Sequence, residues 1–221
     1  MSKKRTIFRL SLWLLLLIAL VSGLFFVVNH YKRLPPKDGT SVYNLAKKRA
    51  YSLKEYAIRR NYDTNHCFLV DYSIPSGRPR FFIWNFATDK IEYSDYCMHG
   101  PGKGSTAQVP VFSNEKGSNC SSLGRFVVKK NCYGNSLGEK RSRLILGLDK
   151  TNSNACARGL MIHDSHYLDK CSLLPTDNIP LNGGACSGCV TITTDGFRKA
   201  KSIIEESPKE ILLYTYFSSK E

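Results

Sequence analysis

Acidic side chains are scarce in this 221-residue chain: 18 Asp and Glu stand against 32 Lys and Arg, a formal charge of +14. There is no internal repeat and no low-complexity tract, and collagen, coiled-coil and multi-pass membrane architectures are excluded. Aromatic residues at 11% and charged residues at 23% mark a chain able to bury a core, which excludes wholesale disorder. A shortage of acid first suggests nucleic acid, because Lys and Arg neutralise phosphate. The positions of the charges remove that reading. Residues 1–40 carry +6, residues 41–62 carry +5, and residues 63–221 carry only +3, so the bulk of the chain is nearly balanced. No nucleic-acid partner is expected.

Charge is absent altogether from Leu10 to Val28, where only Ser11, Ser22 and Gly23 are not strongly apolar. Nineteen helical residues span roughly 28 Å, about one bilayer core. Lys3, Lys4, Arg5 and Arg9 precede the run, and Lys32 and Arg33 follow it. No small-x-small cleavage site follows, since the sequence continues Phe25-Phe26-Val27-Val28-Asn29-His30, so residues 1–33 read as an uncleaved signal anchor. The basic residues on both sides leave the orientation open.

Leu34-Pro35-Pro36-Lys37-Asp38-Gly39 breaks any helix, making residues 34–40 a linker. Val42, Leu45, Ala46, Ala50, Leu53, Tyr56 and Ala57 then recur at three- and four-residue spacing, which predicts a basic amphipathic helix in residues 41–62. Its basic face is suited to anionic lipid or wall polymer. From about residue 66 short runs rich in Tyr, Phe, Val and Ile predict strands at 67–72, 80–86, 91–98, 125–130, 143–148, 160–163 and 211–217. A further helix is expected at 195–207, with Thr194 as its cap. The expected class is mainly β (α+β), a domain over residues 63–221 with few helices, preceded by one transmembrane helix.

Eight cysteines, at 67, 97, 120, 132, 156, 171, 186 and 189, are many for a reduced cytosolic domain, and the export-type N-terminus makes disulfides plausible. Cys186-Ser187-Gly188-Cys189 is a C-x-x-C with three readings. A zinc site would need Cys171 and His163 or His166 as well, and the sequence lacks a second C-x-x-C or an H-x₃₋₅-H. A thioredoxin-like pair would need a βαβ context that the strand pattern does not offer. In the third reading one cysteine is a nucleophile with a histidine as its base. His163 ends an apolar strand, Gly159-Leu160-Met161-Ile162-His163, and Cys189 opens another, Cys189-Val190-Thr191-Ile192. Two strand ends at one sheet edge can bring imidazole and thiol together.

The order of His163 and then Gly188-Cys189 resembles the active-site signature of the murein L,D-transpeptidases, specifically the catalytic-domain-like branch. Supporting runs are Phe68–Ser76, Met98-His99-Gly100-Pro101-Gly102-Lys103-Gly104, Ser121-Ser122-Leu123-Gly124, Arg143-Leu144 and Arg158–His163. The resemblance covers about residues 66–217. It implies an L,D-transpeptidase-like β-sandwich and a cysteine-dependent acyltransferase that forms 3→3 cross-links between peptidoglycan stem tetrapeptides through a thioacyl intermediate. An L,D-carboxypeptidase and a catalytically inactive wall-associated relative are the alternatives.

Residue by residue, the resemblance makes Cys189 the nucleophile, His163 its base, and the Asp164 backbone carbonyl the group that orients the imidazole. The backbone N–H groups of Gly188 and Cys189 would form the oxyanion hole. His99, Gly100, Tyr167 and Ser187 are the expected substrate-binding residues. No metal or cofactor is implied, and carbapenem-type β-lactams are expected to acylate Cys189. Two departures stand out: Asp164 replaces the usual Gly or Ser after the histidine, and Cys186 replaces the Ser three residues before the nucleophile. With that spacing Cys186 could also pair reversibly with Cys189. The expected location is the bacterial cytoplasmic membrane, spanned once, with the catalytic domain on the extracytoplasmic side.

Overall fold

The computed structural model describes residues 3–32, 34–134 and 137–218. It divides into two compact units, Met1–Leu34 and Pro35–Glu221. The first is a single helix, α1 (Lys3–Lys32), in which Ile7–Val28 is long and apolar enough to cross a membrane and has no buried residue. Arg33 lies outside the described residues, as do the side chains of Lys3, Lys4, Arg5 and Lys32.

The second unit opens with α2 (Ser41–Arg60), capped where Thr40 accepts the Tyr43 N–H and ended by Asn61 in the left-handed region at φ 61°. It buries Tyr43, Ala46, Ala50, Leu53 and Ala57, one stripe at alternating three- and four-residue intervals. Three of the five are alanines, which lets the helix lie close against Leu69, Trp84 and Leu212 of the sheet. Lys48, Arg59 and Arg60 face solvent. The helix is thus part of this unit and covers one face of its sheet.

Nine strands follow among the described residues: β1 (His66–Asp71), β2 (Phe81–Asn85), β3 (Lys90–Asp95), β4 (Cys97–Met98), β5 (Gly124–Val128), β6 (Ser142–Gly147), β7 (Met161–Asp164), β8 (Val190–Ile192) and β9 (Ile211–Tyr216). Their order is β3-β2-β1-β9-β5-β6-β7-β8-β4, with β1–β9 and β7–β8 parallel and the other pairs antiparallel. Strand β6 is the corner. Its first half, Ser142–Leu144, pairs with β7, and its second half, Ile145–Gly147, pairs with β5. The two strands at the extreme edges, β3 and β4, are separated only by Tyr96, so the sheet curls until its ends meet.

The central strands are buried on both faces. Phe68 and Val70 of β1, Phe81 and Ile83 of β2, and Ile211 and Leu213 of β9 enter the core enclosed by the curled sheet, together with Ile162, Val190 and Phe197. Their neighbours Leu69, Phe82, Trp84 and Leu212 point the other way, under α2. The two-residue alternation supplies both layers, so these strands read as continuous apolar runs rather than as alternating ones.

Local differences from the sequence expectation have physical causes. The run at 91–98 breaks at Tyr96, because Asp95 turns inward to accept the Thr193 N–H at 3.0 Å and the Thr193 hydroxyl at 2.8 Å. That pair anchors α4 (Thr194–Glu206), whose cap is Thr193 and not Thr194. The Thr194 hydroxyl donates instead to Asp169 at 2.6 Å. A six-residue helix, α3 (His166–Cys171), capped by Ser165, is unannounced in the sequence because it is too short for a periodic pattern. All eight cysteines are thiols here, with six buried and Cys132 and Cys156 exposed.

Candidate active site

Strands β7 and β8 run side by side with His163 opposite Thr191 and Ile162 opposite Val190. Continuing that register places Cys189 beside Met161. Residues two apart share a face, so His163, Cys189 and Thr191 project to the same side of this pair. His163 and Cys189 meet a cavity of about 590 Å³ that is also lined by Asp164, Tyr167 and Ser187 among the expected residues, and by Cys186 and Arg141.

His163 is 7% exposed, and burial lowers its pKa below the ordinary 6.5. Its Nδ1 lies 2.7 Å from the Asp164 carbonyl, an acceptor only, so Nδ1 carries the proton and donates it. The Nε2 lone pair is then the acceptor, and it faces the Thr191 hydroxyl at 3.1 Å. The ring is neutral and presents the nitrogen a base needs. That hydroxyl has a second acceptor, the Ala185 carbonyl at 3.4 Å.

Burial pushes the Cys189 thiol up to about 12, with nearby Cys186 adding to the shift and the Met161 N–H and Arg158 opposing it. The resting group is therefore a thiol, and attack requires its proton to be removed. Arg158 is held by the Ser113 carbonyl at 2.7 Å and also reaches the Cys120 carbonyl and the Ser122 hydroxyl. Arg158 carries no local signature in the sequence that its charge falls on Cys189.

Gly188 needs its identity: φ is 98°, and a Cβ would lie 2.4 Å from the Cys120 carbonyl oxygen. The backbone N–H groups of Gly188 and Cys189, expected to form an oxyanion hole, are turned here toward the Cys186 sulfur. That sulfur also lies 3.4 Å from the Cys189 carbonyl, to which its S–H donates.

His99 and Gly100 do not line the cavity. His99 is 1% exposed, accepting from Arg80 at its Nδ1 (2.9 Å) and donating from Nε2 to the Thr106 carbonyl (2.8 Å). Burial and then the Arg80 charge pull it down to about 4. Gly100 is a packing glycine whose Cβ would fall 2.0 Å from the Asn119 carbonyl oxygen and 2.9 Å from the Gly188 Cα. Gly100 therefore packs directly against the Gly188 turn, while His99 ties Arg80 to the Thr106 carbonyl. Tyr167 is fixed at the cavity wall by its hydroxyl donating to the Pro180 carbonyl at 3.0 Å. Among the described residues no group of three or more His, Cys, Asp or Glu side chains gathers as a metal site.

The curled sheet thus presents a buried thiol, Cys189, and a carbonyl-oriented imidazole, His163, to one cavity. The sequence matches the profile of the L,D-transpeptidase catalytic domain over residues 38–216, and the chain belongs to that family. Similar solved structures include the helical cell shape determining protein Pgp2 from Campylobacter jejuni, at 13% identity and TM-score 0.38, covering 74% of this chain and 55% of that one. A mutant of the same protein gives 12%, 0.40, 76% and 56%. An L,D-transpeptidase from Xylanimonas cellulosilytica gives 13% identity and TM-score 0.35 over 73% of this chain and 68% of that one. The chain spans about half the length of the Pgp2 chains. No curated protein sequence matches it significantly.

Proposed function

We propose that the protein is a membrane-anchored peptidoglycan L,D-transpeptidase that works through a thioacyl intermediate on Cys189. The observation that supports this reading is that family membership over residues 38–216 coincides with Cys189 and His163 on one face of a paired β7–β8, lining one cavity. The substrate is a stem tetrapeptide, and the scissile bond joins its third, diamino-acid residue to the terminal D-alanine.

The reaction begins when the Thr191 hydroxyl rotates onto the Ala185 carbonyl and frees Nε2 of His163. Nε2 takes the Cys189 proton as the sulfur attacks the carbonyl carbon. The developing oxyanion replaces the Cys186 sulfur as acceptor of the Gly188 and Cys189 N–H groups. The imidazolium, steadied by Nδ1–H on the Asp164 carbonyl, gives its proton to the departing amine of D-alanine, leaving a thioester. The side-chain amine of a second stem then attacks, returning its proton to His163 and restoring the thiol, and a 3→3 cross-link results. Water in place of that amine gives carboxypeptidase trimming. The apolar α1 holds the domain at the outer face of the cytoplasmic membrane, with wall and anionic lipid as its surroundings.

Intact-protein mass spectrometry with a carbapenem-type β-lactam tests the nucleophile. One adduct is expected on the wild type and none on Cys189→Ala. An equal adduct on both, or none on the wild type, contradicts the assignment.

A further inference from the structure

Asp164 stands where the family carries Gly or Ser, and its side chain is nearly closed off, at 6% exposed. It is not an idle charge, because Arg141 Nε donates to its Oδ1 at 2.8 Å. The two residues are also joined through the backbone, where the Asp164 N–H donates to the Arg141 carbonyl at 3.2 Å. The guanidinium is therefore tied at one nitrogen to the floor of the site, while the side chain stays 38% exposed and lines the 590 Å³ cavity. Its charge is also felt at His163, whose protonated form it disfavours. Besides His163, His166 also lines the cavity; it is 72% exposed and faces Asp169 at 3.3 Å.

We infer that Arg141, held by Asp164, recognises the carboxylate of the amino acid that leaves. This deepens the transpeptidase reading and rests on it. The leaving group is an α-amino acid whose nitrogen must come to His163 for its proton, and its carboxylate carbon is two bonds away, about 2.5 Å from that nitrogen. A cation that lines the same cavity as the imidazole and is held by the next residue, Asp164, is placed to meet that carboxylate. The Nη groups of Arg141 are the donors for it, and a guanidinium fork fits a carboxylate through paired hydrogen bonds. An acceptor amine with an adjacent carboxylate would meet the same cation on its way to the thioester. Substrate selectivity is then for a free terminal carboxylate, set by the residue that replaces Gly or Ser after the histidine and by its partner one strand away. Asp164 acts through Arg141 and is a positioning residue; Arg141 is a binding residue.

The test compares stem tetrapeptides ending in free D-alanine and in D-alanine carboxamide, using the full chain in detergent. Release of D-alanine or D-alaninamide and the mass of the Cys189 acyl adduct are both followed. For the wild type, kcat/KM is expected to be roughly 10- to 100-fold higher for the free carboxylate, the range of a lost charged hydrogen bond. In Arg141→Gln that ratio collapses toward one, and Arg141→Lys retains part of it. Asp164→Asn lowers the ratio because Arg141 loses its charged anchor. A wild type that processes both substrates within twofold, or Arg141→Gln with the wild-type ratio, overturns the inference and leaves the transpeptidase reading standing. No release from either substrate and no adduct on Cys189 overturns both. Should Arg141→Gln fail to fold, the wild-type ratio and Arg141→Lys decide.

Discussion

His163 lies between a carbonyl that fixes its proton on Nδ1 and a hydroxyl that marks Nε2 as the open lone pair. Because burial lowers its pKa, the ring stays neutral to lower pH than an ordinary histidine, and a neutral ring is the form that the proposed base needs. The acid limb of the kcat/KM profile is expected to have its midpoint below 6.5, and a midpoint above that value would contradict a buried base. Cys189 gives the complementary expectation. With its pKa pushed up to about 12 the resting enzyme holds a thiol, so iodoacetamide at pH 7 should modify the exposed Cys132 and Cys156 well before Cys189. Peptide mapping after limited labelling reads this directly. At this scale the sequence carried the nucleophile and base as expectations, because their order and flanking residues are local. It did not carry Arg141 or Arg158, whose placement depends on which strands lie side by side. Nor did it carry the burial of His99 and its pairing with Arg80, which are products of the fold and leave no local trace.

Elements were legible where burial is two-sided. Strands β1, β2 and β9 fall within a residue or two of expectation because both faces are apolar, and α2 because its stripe is regular. The break between β3 and β4 was not legible, since it follows the Asp95 side chain's bond to a partner 98 residues away, Thr193. That junction is stringent. A Cβ on Gly196, in the first turn of α4, would lie 1.7 Å from Asp95 Oδ2, so Gly196→Ala is expected to destabilise the domain by about 1–3 kcal/mol in a denaturation experiment. Burial raises the Asp95 pKa to about 7, partly offset by its bonds from Thr193. The folded state therefore holds this proton more tightly than the unfolded state, whose carboxylate titrates near 3.8. The resulting contribution to stability is full below 3.8 and is lost as pH rises toward 7. Asp95→Asn should remove that slope, which melting curves between pH 4 and 8 would show.

For the whole molecule, most of the charge that first suggested nucleic acid belongs to the first 62 residues, the apolar helix with its flanks and α2, while residues 63–221 are nearly balanced. An apolar segment of 22 residues, Ile7–Val28, is expected to hold the full chain in the membrane pellet through a high-salt wash, and removal of residues 1–34 should release it. Retention by charge alone would be lost in salt. Muropeptide analysis of cell wall incubated with the full chain or with Cys189→Ala is the most direct measure of the central claim. The wild type should produce 3→3 cross-linked dimers with loss of D-alanine, and Cys189→Ala should produce none. An unchanged muropeptide profile with the wild type, or the same cross-links from Cys189→Ala, would contradict acyl transfer through this thiol.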